Sequence, residues 1–293
     1  METGEPMAMT ASAAGPAPAS GVREAEDQRT RQLAAVYSAH ARGYAEIWSP
    51  VIHPVAARLL ETLPWAGVGR VLDVGTGAGG HLQHLRRLAP RATILGIDRA
   101  PGMLAIARDH AIPLALMDAM ALGIRDRSID VAVMAFVLFH VREPVGALTE
   151  VRRALRPGGL VAVTTWAEDP EVEAARVWEA ELDAHGAVDP MPLPPSRHDR
   201  TDTPDKVAGL FSAAGLAPAR AWLEPLVYRW DLERLTALRT RYGRTKRKLE
   251  SLDADTRAAF LVRARERLTS LPPEAFVYRA RVVAAVARRP TTD

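Results

Sequence analysis

The sequence predicts an α/β fold, a doubly wound and mostly parallel sheet with helices on both faces. Three observations carry this. Short, near-continuous apolar runs recur between residues 70 and 166. Helix-like stretches separate them. A glycine-rich turn joins the first run to the first of those helices. Apolar runs without polar alternation suit strands covered on both faces, as parallel strands are.

Residues 1–25 are rich in Ala, Pro, Ser, Gly and Thr, so a disordered tail is expected there. Helical pattern begins near Glu24 and runs to about Trp48. Ser49-Pro50 is read as an interruption, with a second helix from Pro54 to Thr62. Residues 26–64 would form a helical lid and residues 65–293 the main domain. Its strands are Arg70–Val74, Thr93–Ile97, Pro113–Met117, Ile129–Phe136 and Leu160–Thr165. Its helices include Gly80–Leu88, Pro101–His110 and Pro144–Leu155. Further on, Glu171–His185 looks helical, residues 189–203 are a proline-rich loop, and Pro204–Ala214 is a helix stopped by Gly215. Pro218–Trp230 and Ala275–Ala287 read as strands, with Leu232–Leu271 mostly helical between them. Segments at about 167–203 and 231–272 would be insertions that build a substrate pocket.

Composition narrows the chemistry. Hydrophobic residues make up 48% and charged residues 25%, ordinary values for a globular chain of 293 residues. Cysteine is absent, which excludes disulfides, thiolate metal sites and cysteine nucleophiles. No apolar run reaches the roughly 18 residues of a membrane span, and no secretion signal is visible. A soluble, cytoplasmic protein without a membrane partner is the expectation. The net charge of +3 is small, and the pI near 9.5 reflects arginine, since only Lys206, Lys246 and Lys248 are lysines. Arg239, Arg241, Arg244, Lys246, Arg247 and Lys248 cluster around Tyr242. A solvated helix face is the favoured reading of that stretch, and nucleic acid is not the expected partner.

The glycine turn comes after Val71-Leu72-Asp73-Val74. Gly75, Gly77 and Gly80 satisfy a G-x-G-x-x-G dinucleotide pattern, while Gly75, Gly77 and Gly79 satisfy G-x-G-x-G. The next helix would offer N–H groups to a polar ligand. Asp98 ends the second strand, where a carboxylate can accept from ribose hydroxyls. Asp118 ends the third, where it can accept from an adenine amino group.

The run Val71–Gly79, with Gly96-Ile97-Asp98, Met117-Asp118-Ala119, Ser128-Ile129-Asp130-Val131 and Leu155-Arg156-Pro157-Gly158-Gly159, resembles the class I S-adenosylmethionine-dependent methyltransferases. The branch with the ubiquinone- and menaquinone-biosynthesis and natural-product enzymes is the most similar. The resemblance covers residues 30–166 well and the rest loosely. It implies a seven-stranded sheet ending in an antiparallel hairpin strand, and S-adenosylmethionine as cofactor. It implies that Asp73, Gly75, Gly77 and Gly79 hold the methionine part, Asp98 the ribose, and Asp118 with Ala119 the adenine. It also folds the N-terminal helix over the cofactor, with an aromatic residue near the methyl.

A sulfonium methyl is already activated, so the protein must mainly align the nucleophile and exclude water. A base helps only where the acceptor holds a proton, as a phenol with pKa about 10 does. His140, after the fourth strand, is the candidate base. Tyr37, His40, Tyr44 and Trp48 share one helical face by spacing. Tyr37 is assigned to the cofactor and Tyr44 to the reacting methyl. Trp48, Phe136 and Trp166 would line the acceptor pocket. His81 lies near the glycine turn, His84 faces solvent by spacing, and His53, His110, His185 and His198 show no partner pattern. No metal site is expected. The segment Met134-Ala135-Phe136-Val137 lacks the Asn/Asp-Pro-Pro-Tyr motif of amino-methyltransferases and the acids of metal-dependent catechol enzymes. The expected reaction is methylation of a small apolar or aromatic metabolite, a secondary metabolite or quinone-like intermediate. Oxygen is the favoured acceptor, with nitrogen or carbon open. A cyclase on the same fold that does not methylate, and an RNA methyltransferase, are the alternatives. A homo-oligomer is compatible with the sequence.

Overall fold

The computed structural model describes residues 20–192 and 198–292. Seven strands form one sheet in the order β3-β2-β1-β4-β5-β7-β6. They are β1 (Arg70–Val74), β2 (Thr93–Asp98), β3 (Leu114–Leu116), β4 (Ile129–Ala135), β5 (Leu155–Glu168), β6 (Ala217–Arg229) and β7 (Val277–Arg288). The pairs from β3 to β5 are parallel; β7 runs antiparallel between β5 and β6. The expected strands and terminal hairpin are therefore present, with ends shifted by a few residues. Strands β1 and β4 are buried along almost their whole length, which is why they read as unbroken apolar runs. The chain winds outward in opposite directions from this pair, and the crevice at their carboxyl ends is where such sheets bind ligands.

Helices cover both faces. Leu59, Leu60, Leu82 and Leu85 pack on Val71, Val131 and Val133. These come from α3 (Ser49–Glu61) and α4 (Leu82–Leu88). Leu148, Val151 and Phe211 pack on Leu72, Ala132 and Met134 on the other face, from α6 (Pro144–Ala154) and α8 (Pro204–Ala213). The C-terminal insertion is three helices, α9 (Leu232–Arg241), α10 (Gly243–Glu250) and α11 (Ala254–Thr269), joined to α7 (Glu173–Ala184) around Trp178 and Phe260. No helix among the described residues is long and apolar enough to cross a membrane.

The N-terminal segment departs from the expectation. The expected tail of residues 1–25 lies mostly outside the described residues, but residues 20–25 already belong to α1 (Ser20–Ala39). A break at His40 leads into α2 (Ala41–Gly43), then a π-helical turn over Tyr44–Trp48 that runs directly into α3. Ser49-Pro50 does not end the helix. Pro50 sits in the first turn of α3, just past the π-turn, with its ring accommodated in the continuing helix. The π-turn adds a residue to the helical repeat and rotates the helix beyond it. The single aromatic face is thus split: Tyr37 and Tyr44 remain on one side, and Trp48 turns to the other. α1 crosses α5 (Pro101–Ala107) closely, with Gly102 donating its N–H to Ser38 Oγ at 3.2 Å. A Cβ on Gly102 would stand 2.4 Å from the Ser38 carbonyl oxygen.

The basic stretch is a solvated face only in part: Arg241 and Arg244 are exposed, while three of its cations are buried or nearly so. Lys248 is 2% exposed and lies between Glu179 at 2.9 Å and Asp183. Arg247 makes a bidentate pair with Asp189 at 2.9 and 2.7 Å. Arg239 is mostly buried beside Glu171. The acids come from α7 and the loops on either side of it, distant in sequence.

His53 of α3 packs on Gly80, where a Cβ would stand 1.3 Å from the imidazole. Its ring centroid is 4.2 Å from that of His81, and Ser49 Oγ lies 2.6 Å from its Nε2. Burial, then the charge of His110, lowers the His53 pKa to about 4. Gly80→Ala should cost about 1–3 kcal/mol of stability by overpacking. Denaturant unfolding checks this, and the cost should shrink in a His53→Ala background. The unfolded His53 binds a proton below its ordinary pKa of about 6.5 while the folded one refuses it down to about 4. His53 therefore contributes stability above about 6.5 that is lost as pH falls. In His53→Gln, unfolding midpoints measured between about pH 7 and 4.5 should decline less steeply than in the wild type.

Candidate active site

The glycine turn sits at the carboxyl end of β1. Gly75, Gly77 and Gly79 all have left-handed φ, at 69°, 55° and 83°. Gly75 is also a close approach: a Cβ there would meet Val137 Cγ2 at 2.2 Å. Gly80, by contrast, serves the packing of His53. The left-handed glycines thus obey the 75-77-79 spacing. The N–H groups of Thr76, Gly77 and Gly79 bond to Ile97 O, Asp98 Oδ2 and Thr76 O at 2.8, 2.9 and 2.9 Å. The turn therefore spends these donors internally, where a pyrophosphate cradle would present them to its ligand.

The cleft beside the turn spans about 1040 Å³ of atom-free space, part of it open to solvent. Its polar edge carries two carboxylate acceptors, with Arg99 and Arg142 also on the lining. Asp98 Oδ2 accepts from Gly77 N and Oδ1 from Ala100 N at 2.8 Å, and both oxygens retain lone pairs. Burial raises the Asp98 pKa, against these hydrogen bonds. Asp118 Oδ1 accepts from Met120 N at 2.9 Å, with Arg99 at 3.6 Å from Oδ2. Ala119, Gly75 and Gly77 share the wall with Asp98 and Asp118.

Tyr37 and Tyr44 cover the cleft, their rings 5.9 Å apart and edge to face. Phe136 ends β4 on the same wall at φ 57°, a left-handed conformation that costs a non-glycine residue of order 1 kcal/mol. His140 Nε2 lies 2.9 Å from the Tyr37 hydroxyl. Burial raises the Tyr37 pKa to about 12 and raises that of Tyr242. Burial, then repulsion from His198 and Arg29, lowers that of His140 to about 3. At neutral pH the imidazole is uncharged, and its Nε2 shares one hydrogen bond with the Tyr37 hydroxyl. His140, the candidate base, thus stands on the cleft wall with its proton affinity lowered by burial.

Several expected residues lie elsewhere. Asp73 is 1% exposed, accepts from Thr76 Oγ1 at 2.7 Å, and is raised to about 6 by burial. It braces the glycine turn from beneath and does not reach the cleft wall. Gly79 faces His110. Trp166 is buried against Phe136 at 4.9 Å and Trp48 at 6.2 Å, and Trp48 stacks on Trp230 at 6.4 Å. Neither tryptophan lines the cleft, because the π-turn carries Trp48 into the core of the C-terminal insertion. His81 is buried against His53, and His84 is half-buried 3.6 Å from Glu61, not solvated. His53, His110, His185 and His198 each have partners after all: His81, Ala78 O, Glu181 O and the Phe139 ring. Among the described residues no three His, Asp or Glu converge as a metal site. Sequence reasoning missed Tyr242 as a member of the aromatic cluster. It was visible only as the one ring inside the basic stretch.

Comparisons with known proteins agree with the geometry. Residues 72–163 match the methyltransferase domain family. A ubiquinone biosynthesis O-methyltransferase of Cereibacter sphaeroides is 32% identical over 185 residues, which are 59% of this chain and 71% of the relative. A malonyl-[acyl-carrier protein] O-methyltransferase of Xylella fastidiosa is 34% identical over 155 residues, 50% of this chain, which spans only 52% of that relative. Two solved structures share the fold. A Haloferax volcanii protein in complex with the Trm112 methyltransferase activator has a TM-score of 0.54 and 19% identity, covering 87% of this chain and 94% of that one. The [4+2]-cyclase SpnF has a TM-score of 0.50 and 19% identity, covering 81% and 80%. With an acceptor-edged cleft at the sheet reversal, these relationships place the chain among the class I S-adenosylmethionine-dependent methyltransferases, with S-adenosylmethionine as its cofactor.

Proposed function

We propose that this chain O-methylates a small, largely apolar or aromatic metabolite. The observation that carries the reading is the cleft itself: two carboxylates on one rim, two left-handed glycines on its floor and two tyrosines as its cover. That lining suits a ligand rich in hydroxyl and amino donors and bearing a cation. Asp98 would accept from the ribose hydroxyls, Asp118 with Ala119 would meet the adenine, and Gly75 and Gly77 would let the methionine part lie against the backbone. A ring face of Tyr37 or Tyr44 would meet the sulfonium. Asp73 acts through Thr76 as a positioning residue. Bound S-adenosylmethionine supplies a methyl already activated for in-line displacement by an oxygen nucleophile. The chain's own task is then to exclude water and to orient the acceptor. Tyr37 and Tyr44 close the cleft from above, and Phe136 adds an apolar wall. His140 keeps the Tyr37 hydroxyl fixed and takes up no proton near neutral pH. The acceptor hydroxyl therefore ionises before transfer or releases its proton to solvent.

Product mass decides the reaction class: a gain of CH2 on the acceptor marks methylation, whereas an isomer of the acceptor marks a cyclase. Asp98→Ala should weaken S-adenosylmethionine binding by about 1–3 kcal/mol, the cost of unpairing a buried acceptor. Calorimetric titration reads this as a roughly five- to 150-fold rise in Kd. Equal affinity in wild type and variant removes Asp98 from the ribose role. Because the His140 pKa lies near 3, the rate should show no inflection at about pH 6.5 that depends on this residue. His140→Gln should lower turnover while leaving the shape of the pH profile between about 5 and 8 unchanged. Loss of an inflection in the variant would restore His140 as the base.

A further inference from the structure

Arg239, near the end of α9, lacks the hydrogen bonds that a buried guanidinium requires. Its side chain is 16% exposed, and its Nε is buried without a partner. Its ion pair with Glu171 is 3.8 Å long, too far for a hydrogen bond. A guanidinium carries five N–H donors, and buried donors in folded chains are almost always satisfied. The nearby cations show the contrast: Arg247 and Lys248 each hold a carboxylate within hydrogen-bond distance, at 2.7 and 2.9 Å.

Arg239 lines a pocket beneath the C-terminal insertion that spans about 930 Å³ of atom-free space, part of it open to solvent. Its walls are aromatic, from Trp48, Trp230, Tyr242 and Tyr278. Trp48 and Trp230 lie parallel to within 3° with centroids 6.4 Å apart, and Tyr278 stands 5.9 Å from Trp48. Such walls suit a flat, apolar body. The charges on the lining disfavour an ion of either sign. Asp169, Glu171 and Glu179 would repel an anion, and Arg239 with Arg244 would repel a cation. Two of the acids are engaged already, Asp169 by the Tyr278 hydroxyl and Glu179 by Lys248. An uncharged carbonyl oxygen has two lone pairs and can take the unused Arg239 donors without adding a fourth negative charge.

We infer that this pocket binds an uncharged aryl ketone, its rings against Trp48 and Tyr242 and its carbonyl oxygen on the Arg239 guanidinium. The pocket shares no lining residue with the cofactor cleft, so its ligand is not the group that receives the methyl. The two are neighbours all the same. The Tyr242 ring is 5.7 Å from that of Tyr44, and Trp48 ends the π-turn that Tyr44 begins.

The test titrates the full chain with 1-tetralone, fluorenone and xanthone by ligand-detected NMR. Each ketone is paired with the parent compound in which CH2 replaces the carbonyl. At least one ketone should bind about tenfold or more tightly than its parent, the usual effect of a hydrogen bond to a charged group. The preference should persist at saturating S-adenosylhomocysteine. Arg239→Met should abolish it without lowering the unfolding midpoint, since no hydrogen bond within the chain is lost. Arg239→Lys should keep part of it. A lowered midpoint with the preference intact would make Arg239 purely structural. That result, equal binding of ketone and parent, failure of every ketone to bind, or displacement by S-adenosylhomocysteine overturns the assignment.

Discussion

The Asp98 carboxylate is the constraint on which the rest of the site depends. One oxygen holds the Gly77 N–H, the other holds the Ala100 N–H, and so one side chain ties the turn after β1 to the turn after β2. Two loops that would otherwise move separately become one rim. The arrangement costs desolvation, visible as the raised pKa, and the two backbone bonds offset part of that cost. Asp73 repeats the logic one layer down, where it secures Thr76 so that the turn has a fixed base.

Above this rim the groups over the cleft are held in their neutral forms. Burial raises the tyrosine hydroxyls and lowers the His140 imidazole, and both shifts favour the uncharged species. Uncharged groups over the cleft, with Tyr37 hydrogen-bonded to His140, suit a reaction whose electrophile brings its own charge. Charge is concentrated instead on the cleft lining, in Asp98 and Asp118 with Arg99 and Arg142.

Most of the sheet was legible because its signal is local. A strand buried on both faces must be apolar residue after residue, so β1 and β4 could be read within a residue or two. The glycine turn and the acids at the strand ends were legible for the same reason, since each obeys a short-range backbone rule. Two parts were not. The π-turn at Tyr44–Trp48 has no sequence mark, and it alone decides that Tyr44 covers the cleft while Trp48 does not. The burial of Lys248 and Arg247 depends on acids some sixty residues away, and a basic run cannot announce such partners. His140 shows the same limit in its chemistry. Its place after β4 was readable, but its proton affinity is set by burial and by Tyr37, which approaches from 103 residues away.

Tyr37 and His140 line both the cleft and a second cavity beside it, and this shared wall has a thermodynamic consequence. A ligand in either chamber that shifts Tyr37 must perturb the other chamber as well, because the same ring is wall to both. Linkage makes any such effect reciprocal: the factor by which the first ligand alters the second's affinity equals the factor by which the second alters the first's. Cooperativity between the two occupants would then need no hinge and no subunit contact. One phenol ring, turning about its hydrogen bond to His140, would suffice to transmit it.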